Sequence, residues 1–214
     1  MLFWIACAVG IAIAYLLGST PTGYLAGKLL KGIDLRQHGS GSTGATNVLR
    51  TLGKGPAVVV LLVDVLKGVA AILFARWFYA WLEVPPDGVP WAVCLCGIAV
   101  LLGHSRSIWL GFTGGKSAAT GLGVLLALSW PVGVGGAAVF LAVLAAVRIV
   151  SLGSMLAAVT AAILVCVLPE PLPYRLLVIA GGLYVIALHL ANIRRLLAGT
   201  EPKIGRSSAD SLSS

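Results

Sequence analysis

Three polar segments interrupt an otherwise apolar chain of 214 residues, and each carries residue types suited to binding phosphate. The first runs from Gly39 to Arg50 and reads Gly-Ser-Gly-Ser-Thr-Gly-Ala-Thr-Asn-Val-Leu-Arg. Glycines let backbone N–H groups turn towards an anion, hydroxyls add donors, and a helix starting after the loop adds its positive dipole end. The segment predicts a phosphate cradle, with a flexible polar loop as the alternative. The candidate ligands are Gly39, Ser40, Gly41, Ser42, Gly44, Thr46, Asn47 and Arg50.

The second segment, residues 103–120, places two glycines directly before a lysine. Gly114-Gly115-Lys116 offers backbone amides beside an ammonium group, and this combination suits a doubly charged phosphate. His104 stands near the start of the same segment. It is a candidate phosphate ligand, and the alternative is that it only supports the loop.

The third segment begins at His189 and ends at Glu201. His189 and Asn192 are three residues apart, so on a helix they share a face and can present an imidazole and an amide to one ligand. Arg194 and Arg195 follow, either as phosphate ligands or as basic anchors at the membrane surface. We expect Arg195 to contribute charge to the site and Glu201 to have a structural role.

Asp64 and Lys67 form a separate charged pair inside an apolar run. Unpaired charges are costly there, so we expect the two side chains to pair with each other or with a neighbouring helix. A structural role is the favoured interpretation. An ion pathway is the alternative, because charges within membrane segments often mark transport routes.

The elements that must position these segments are membrane helices. Hydrophobic residues make up 59% of the chain and charged residues only 10%, a composition that excludes a soluble globular domain. The net charge of +8 does not indicate nucleic acid, because cytoplasmic loops of membrane proteins accumulate Lys and Arg and no aromatic-basic pattern is present. No Cys or His spacing suits a metal, so we expect no metal and no cofactor.

The pattern of apolar runs predicts an all-α, polytopic integral membrane protein with seven transmembrane helices. Trp130-Pro131 divides the fourth run from the fifth, and we interpret it as a tight helical hairpin, with one kinked helix as the alternative. The predicted spans are approximately 2–18, 56–80, 90–103, 118–130, 132–147, 152–168 and 174–191.

The distribution of charge predicts the orientation of these helices. With seven spans, the basic connections fall on one face, which the positive-inside rule assigns to the cytoplasm. These connections are 19–55, 104–117, Arg148 and the segment after residue 191. The N-terminus is therefore expected outside and the C-terminus inside. Residues 1–205 are expected to form a single domain, and the Ser-rich residues 206–214 a disordered tail.

Together, the three segments resemble the bacterial acyl-phosphate:glycerol-3-phosphate acyltransferase family, known as PlsY. The family pattern runs Gly-Ser-Gly-Asn-x-Gly-Ala-Thr-Asn-x-x-Arg, then Gly-His followed by Phe-Lys-Gly-Gly-Lys-Gly-x-Ala-Thr, then His-Arg-x-Asn-Ile-x-Arg-Leu-Leu-x-Gly-x-Glu. Order, spacing and flanking apolar runs agree over nearly the whole chain. Five positions depart from the pattern, and the loss of two cations among them can weaken phosphate affinity. They are Ser42, Ser107, Thr113, Ser117 and Leu190, where Asn, Pro, Lys, Gly and Arg are usual.

The resemblance implies a reaction and its site residues. The family moves a fatty acyl group from acyl phosphate to the 1-hydroxyl of glycerol 3-phosphate, giving lysophosphatidic acid and phosphate at the cytoplasmic face of the bacterial inner membrane. This is the first acylation of phospholipid synthesis. The resemblance also implies that the matching residues bind substrates or support catalysis, namely Ser40, Arg50, Lys116, His189 and Asn192.

Many glycerolipid acyltransferases use a His-x-x-x-x-Asp pair in which the carboxylate orients a basic imidazole. None of His38, His104 and His189 has an Asp five positions on. We therefore expect the phosphate of the activated donor to take the hydroxyl proton, while the protein supplies positioning and charge.

Two other classes of function compete with an acyltransferase. A small transporter or channel for a phosphate-bearing metabolite would use the same anion-binding segments and the intramembrane charges. All three segments lie on one face, however, and the chain shows no internal repeat, whereas transporters favour a midplane site between repeats. An inactive scaffold would not need three polar motifs. The sequence leaves the oligomeric state open.

Overall fold

The computed structural model describes residues 2–205, with side chains from residue 4 onwards. The prediction of an all-α fold is confirmed for this range, in which the only extended pairing is one bridge between Ser107 and Thr113. The predicted disordered tail, residues 206–214, lies outside the described residues. The helices are α1 (Leu2–Ser19), α2 (Thr22–Lys31), α3 (Ala45–Leu52), α4 (Lys54–Trp81), α5 (Val89–Ser105), α6 (Ala118–Leu128), α7 (Trp130–Val147), α8 (Val150–Val167), α9 (Leu172–Leu188) and α10 (Leu190–Leu197).

Each of the seven predicted apolar runs coincides with a helix, but not every helix is long enough to cross a bilayer alone. Among the described residues, four helical segments are long and apolar enough to cross a membrane. The number is five if α9 and α10, which meet at 59°, form one broken span. Helix α6 has 11 residues and is about 16 Å long, against a hydrocarbon core of about 30 Å. The structure supports a multi-pass helical membrane protein, and the count of seven spans stays a prediction.

The predicted helical break before Pro131 is confirmed. Helix α6 ends at Leu128, Ser129 has an extended backbone with φ −148°, and α7 begins at Trp130. Pro131 lies in the first turn of α7, where its missing N–H group would have had no helical partner. The proline therefore starts a new helix instead of bending an existing one.

Helices α4 and α6 approach so closely that two glycines are required between them. A Cβ atom at Gly68 would overlap the carbonyl oxygen of Thr120, and one at Gly123 would overlap that of Val65. Small residues allow such contact between membrane helices, where packing and not the hydrophobic effect drives association. The contact fixes the position of α6, which begins two residues after Lys116.

Asp64 and Lys67 lie at the break between α1 and α2. Their side chains form an ion pair of 2.9 Å and are 1% and 7% exposed. Lys67 Nζ also donates to the carbonyl of Thr20 at 3.1 Å, and Thr22 Oγ1 donates to Asp64 Oδ1 at 2.6 Å. The cation thus meets the end of α1 and the carboxylate meets the start of α2, as helix dipoles favour. This geometry fits the structural role expected from the sequence.

Candidate active site

A cavity of about 210 Å³ brings the three polar segments together. All five residues predicted to act in catalysis line it, and so does half of the predicted phosphate-binding set. The predicted site residues that line the cavity are Ser40, Ser42, Gly44, Thr46, Asn47, Arg50, Asp64, His104, Lys116, His189, Asn192 and Glu201.

Small and apolar residues of α6, α7, α8 and α9 line most of the rest of the same cavity, and Leu61 of α4 and Leu101 of α5 complete this apolar surface. Polar and cationic groups beside such a surface suit an amphiphile with an anionic head and a hydrocarbon chain. The lining residues are Gly121, Leu122, Val124 and Leu125 of α6, Gly136, Ala137 and Phe140 of α7, Ala157, Ala158 and Ala161 of α8, and Leu177, Val178, Gly181, Gly182 and Val185 of α9.

Three helices begin at the cavity, so the positive ends of their dipoles are available to an anion there. The contributing first-turn residues are Ala45 and Thr46 of α3, Ala118 and Ala119 of α6, and Val150 and Ser151 of α8. Sequence reasoning anticipated the helix after the first segment but missed the contribution of α8. The signal was present, because Ser151 and Ser154 stand three residues apart at the start of an apolar run and both line the cavity.

The first segment is an ordered loop shaped by the buried side chain of Asn47. Its Nδ2 lies 3.2, 2.9 and 2.8 Å from the carbonyl oxygens of Leu35, His38 and Ser42. Because Nδ2 has two protons, these three acceptors share them. Its Oδ1 accepts from the backbone N–H of Ser40 at 2.9 Å. Asn47 therefore organises the loop, and its amide is fully engaged in doing so.

Glycines at two positions make this loop possible. Gly39 and Gly41 have φ angles of 59° and 71°, in the left-handed region that favours glycine. A Cβ at Gly39 would also overlap Asn47 Oδ1. Neither glycine lines the cavity, so both shape the cradle from outside instead of facing it.

The structure does not bring Gly114 and Gly115 to the cavity, where the sequence placed them as phosphate ligands. The N–H of Gly115 donates to the carbonyl of His104 at 3.1 Å, and a Cβ at Gly114 would overlap that carbonyl oxygen. The Gly115 amide is turned away from the cavity, because the loop packs against the end of α5. Lys116 is the member of this triplet that reaches the cavity.

Cations outnumber carboxylates around Lys116. Its Nζ donates to Asn192 Oδ1, and burial together with the positive charges of Arg195 and Arg50 lowers its pKa, partly opposed by Glu201. Burial likewise lowers the pKa of Arg50, with Glu201 opposing and Arg195 adding to the shift. Three cations that share one carboxylate would be stabilised by an anionic ligand.

The third segment bends where a continuous helix was expected. Helix α9 ends at Leu188, and His189 lies at a 59° break before α10. The break nevertheless directs the buried side chains of His189 and Asn192 to the same cavity. His189 Nδ1 lies 2.8 Å from the carbonyl of Val185 and must donate to it, so the neutral ring carries an unprotonated Nε2.

Glu201 connects the third segment to α8. Its carboxylate accepts from Ser151 Oγ at 2.7 Å, from Asn192 Nδ2 at 2.6 Å and from Arg195 Nε at 2.7 Å. Arg195 does not line the cavity, and its charge acts from behind this carboxylate. Burial alone would raise the pKa of Glu201, but the hydrogen bonds from Asn192, Ser151 and Arg195 lower it below its ordinary value of 4.5.

The lowered pKa of Glu201 predicts a loss of stability in acid. A carboxyl group whose pKa falls on folding stabilises the fold above its ordinary pKa, and that contribution disappears as the pH falls through the folded value. We expect the melting temperature of the detergent-purified protein to decrease as the pH is lowered below 4.5. Glu201→Gln should have a lower melting temperature than wild type at pH 7. Its melting temperature should decrease less than that of wild type over the same acid range. Equal acid sensitivity of the two proteins would contradict this account.

Comparisons with known proteins agree with this arrangement. A sequence model described as glycerol-3-phosphate acyltransferase matches residues 8–199. Glycerol-3-phosphate acyltransferase 2 of Rhizobium johnstonii is 71% identical, over 96% of this chain and 99% of the relative. Glycerol-3-phosphate acyltransferase of Nostoc sp. (strain PCC 7120) is 56% identical, over 95% of each chain.

A solved structure shares the fold. The crystal structure of PlsY, an integral membrane glycerol 3-phosphate acyltransferase in its glycerol 3-phosphate form, matches with a TM-score of 0.84 and 36% identity, over 97% of this chain and 99% of that one. The crystal structure of its lysophosphatidic acid form matches with a TM-score of 0.82 and 37% identity, over 93% of this chain and 95% of that one. The transporter alternative is therefore not favoured. This chain belongs to the glycerol-3-phosphate acyltransferase family, a family of membrane enzymes.

Proposed function

We propose that this protein transfers a fatty acyl group from acyl phosphate to the 1-hydroxyl of glycerol 3-phosphate, as the first acylation of phospholipid synthesis. The observation that carries the proposal is one cavity in which polar side chains of all three segments, with Arg50 and Lys116 among them, meet an apolar surface formed mainly by α6 to α9. This lining suits the phosphate groups of two substrates on its polar side and a hydrocarbon chain on its apolar side.

Charge is the main obstacle that the site must overcome. Each phosphate monoester carries close to two negative charges at neutral pH, so the two substrates repel one another. Arg50 and Lys116 offset this repulsion directly, and Arg195 supports them from outside the cavity. The three helix N-termini add fixed positive potential that needs no reorganisation during the reaction.

The remaining polar residues position glycerol 3-phosphate. Ser40 offers a hydroxyl, and the amide oxygen of Asn192 holds Lys116 Nζ. His189 presents an unprotonated Nε2 to a hydroxyl hydrogen while Val185 holds the ring in place. These groups bring the 1-hydroxyl within reach of the acyl carbonyl carbon, and such orientation is a large part of catalysis.

The chemical step needs no base from the protein. The 1-hydroxyl oxygen forms the new ester bond with the acyl carbon, and the bond from that carbon to the bridging phosphate oxygen breaks. Phosphate leaves with the electron pair of that bond, and one of its oxygens takes the hydroxyl proton. Lys116 and Arg50 stabilise the leaving phosphate as its charge develops.

Donor specificity tests this proposal. Purified protein should form lysophosphatidic acid from glycerol 3-phosphate with acyl phosphate, but not with acyl-CoA or acyl carrier protein, since those donors lack a phosphate leaving group for the cationic site. Comparable turnover with acyl-CoA would contradict the proposed donor. A loss of rate as the pH falls through about 6.5 that is absent in His189→Ala would indicate an imidazole base and would contradict transfer of the proton to substrate phosphate.

The proposed orientation has seven spans, the N-terminus outside, and the cavity facing the cytoplasm of a bacterial inner membrane. In a Cys166→Ser background, Lys54→Cys should resist a membrane-impermeant maleimide in intact spheroplasts and react after lysis, whereas Asp87→Cys should react in both. Both positions are exposed in the structure, so accessibility depends on sidedness alone. The reverse pattern would refute the orientation, because the positive-inside rule then fails for this chain.

A further inference from the structure

His104 and Asp64 form a buried pair to which the proposed reaction assigns no chemical step. They are 7% and 1% exposed, and both line the cavity. His104 Nδ1 lies 3.7 Å from Asp64 Oδ1, across two helices. Asp64 Oδ2 and His104 Nδ1 have no hydrogen-bond partner within residues 4–205. The fold thus brings together a histidine and a carboxylate, although the local sequence lacks a His-x-x-x-x-Asp pair.

The direction of the imidazole decides what this pair can do. In a catalytic pair, the carboxylate holds Nδ1 and the opposite nitrogen, Nε2, takes the proton. Here Nε2 faces the backbone of Gly115, because a Cβ at Gly115 would overlap Nε2 and lie 2.9 Å from Cε1 of the ring. The nitrogen that would act as a base therefore meets the loop. This geometry favours positioning over proton transfer.

The contact matters because Gly115 precedes Lys116. On one side of Lys116, the N–H of Gly115 is bonded to the carbonyl of His104. On the other side, Ser117 Oγ donates to the carbonyl of Leu101 at 2.7 Å. Both anchors lie on the last turns of α5, and the imidazole fills the space beneath the loop between them. The ring therefore determines the position of the loop backbone from which the Lys116 side chain extends.

Asp64 is itself held from two directions. Thr22 Oγ1 and Lys67 Nζ both reach Asp64 Oδ1, at 2.6 and 2.9 Å. This contact network ties the break between α1 and α2 to α4, and through His104 to the end of α5. A carboxylate fixed in this way restrains the neighbouring imidazole.

We propose that Asp64 and His104 are positioning residues, in which Asp64 restrains the imidazole, the imidazole supports Gly115, and Gly115 sets the reach of Lys116 towards Asn192 and a bound phosphate. The inference rests on the proposed function for the identity of the phosphate-bearing substrates. It assigns His104 to support of the loop instead of the direct phosphate contact expected from the sequence.

A pair of variants tests the contact between ring and loop. Gly115→Ala should lower kcat/KM at least tenfold, because its methyl group overlaps the imidazole. Gly115→Ala combined with His104→Ala should be more active than Gly115→Ala alone, since the smaller side chain makes room, and contacting residues commonly couple by about 2- to 150-fold. Gly55→Ala, at a helical glycine with open space around it, is the control and should match wild type.

Binding of inorganic phosphate provides a readout that needs no turnover, so it stays interpretable even if acyl phosphate is not the donor. His104→Ala should weaken phosphate binding in calorimetry by about tenfold, in line with loss of one charge-assisted contact, without a matching loss of melting temperature. The double variant Asp64→Asn with Lys67→Met should also weaken phosphate binding, and it leaves no unpaired charge in the membrane.

Two results would overturn the proposal. The first is a combined Gly115→Ala and His104→Ala variant that is no more active than Gly115→Ala. The second is a His104→Ala variant that binds phosphate like wild type but whose rate no longer falls on the acid side of the pH–rate profile, because His104 would then act as a base. If Gly115→Ala does not accumulate in membranes, phosphate binding by His104→Ala decides alone: weakened binding supports the proposal, and binding like that of wild type overturns it.

Discussion

Replacing Lys116 with methionine is expected to lower kcat/KM by about 10- to 150-fold, the range that follows from losing a charge-assisted hydrogen bond of about 1.5–3 kcal/mol. Methionine keeps the length of the side chain and removes its charge. Lys116 reaches the cavity from near the end of the second segment. Burial and nearby cations destabilise its charged form, so a bound phosphate relieves this repulsion. KM for both phosphate substrates should rise as kcat falls.

The matched control is Lys54→Met. Lys54 begins α4, is exposed and does not line the cavity, so its loss removes the same charge from the protein without changing the site. We expect its steady-state kinetics to match those of wild type. If Lys116→Met also retained wild-type kcat/KM, the assignment of Lys116 as a phosphate-binding cation would be wrong.

Asn47→Ala is expected to reduce kcat/KM at least a hundredfold, although the side chain is not assigned a direct contact with substrate. Its amide makes four contacts with the loop backbone, and each net hydrogen bond is worth about 0.5–1.5 kcal/mol. Without them the loop that carries Ser40 loses the shape of the cradle. The measurement is steady-state kinetics together with the melting temperature.

Gln37→Ala is the control for this prediction, because it removes an exposed amide two residues before the same segment. It should leave kcat/KM unchanged. Asn47→Asp should be as impaired as Asn47→Ala, since a carboxylate cannot donate to the carbonyls of Leu35, His38 and Ser42. An active Asn47→Asp variant would show that the donor function of the amide does not shape the cradle.

The sequence predicted those features that depend on local composition. Apolar runs located the seven apolar helices α1 and α4 to α9, and Pro131 marked the break before α7. The three polar segments supplied most of the polar residues that line the cavity. Hydropathy and residue type are sufficient for these predictions, because each run or motif carries its own signal. Helix α2 (Thr22–Lys31) was missed because Lys28 and Lys31 interrupt its hydropathy.

The features that were missed depend on contacts between distant residues. Nothing in the string Gly114-Gly115-Lys116 shows that the Gly115 amide bonds to α5 instead of a ligand, since that depends on where His104 lies. The bend at His189 likewise has no proline or glycine beside it to mark it. The proximity of Asp64 and His104, 40 positions apart in sequence, follows only from the packing of α4 against α5.

The most direct test of the central claim is the stoichiometry of the reaction. Purified protein supplied with labelled glycerol 3-phosphate and acyl phosphate should form lysophosphatidic acid acylated at the 1-position, with one phosphate released for each molecule formed and with strongly reduced turnover in Lys116→Met. Uptake of unmodified glycerol 3-phosphate into proteoliposomes, with no lysophosphatidic acid and no phosphate release, would contradict the account and indicate a transporter.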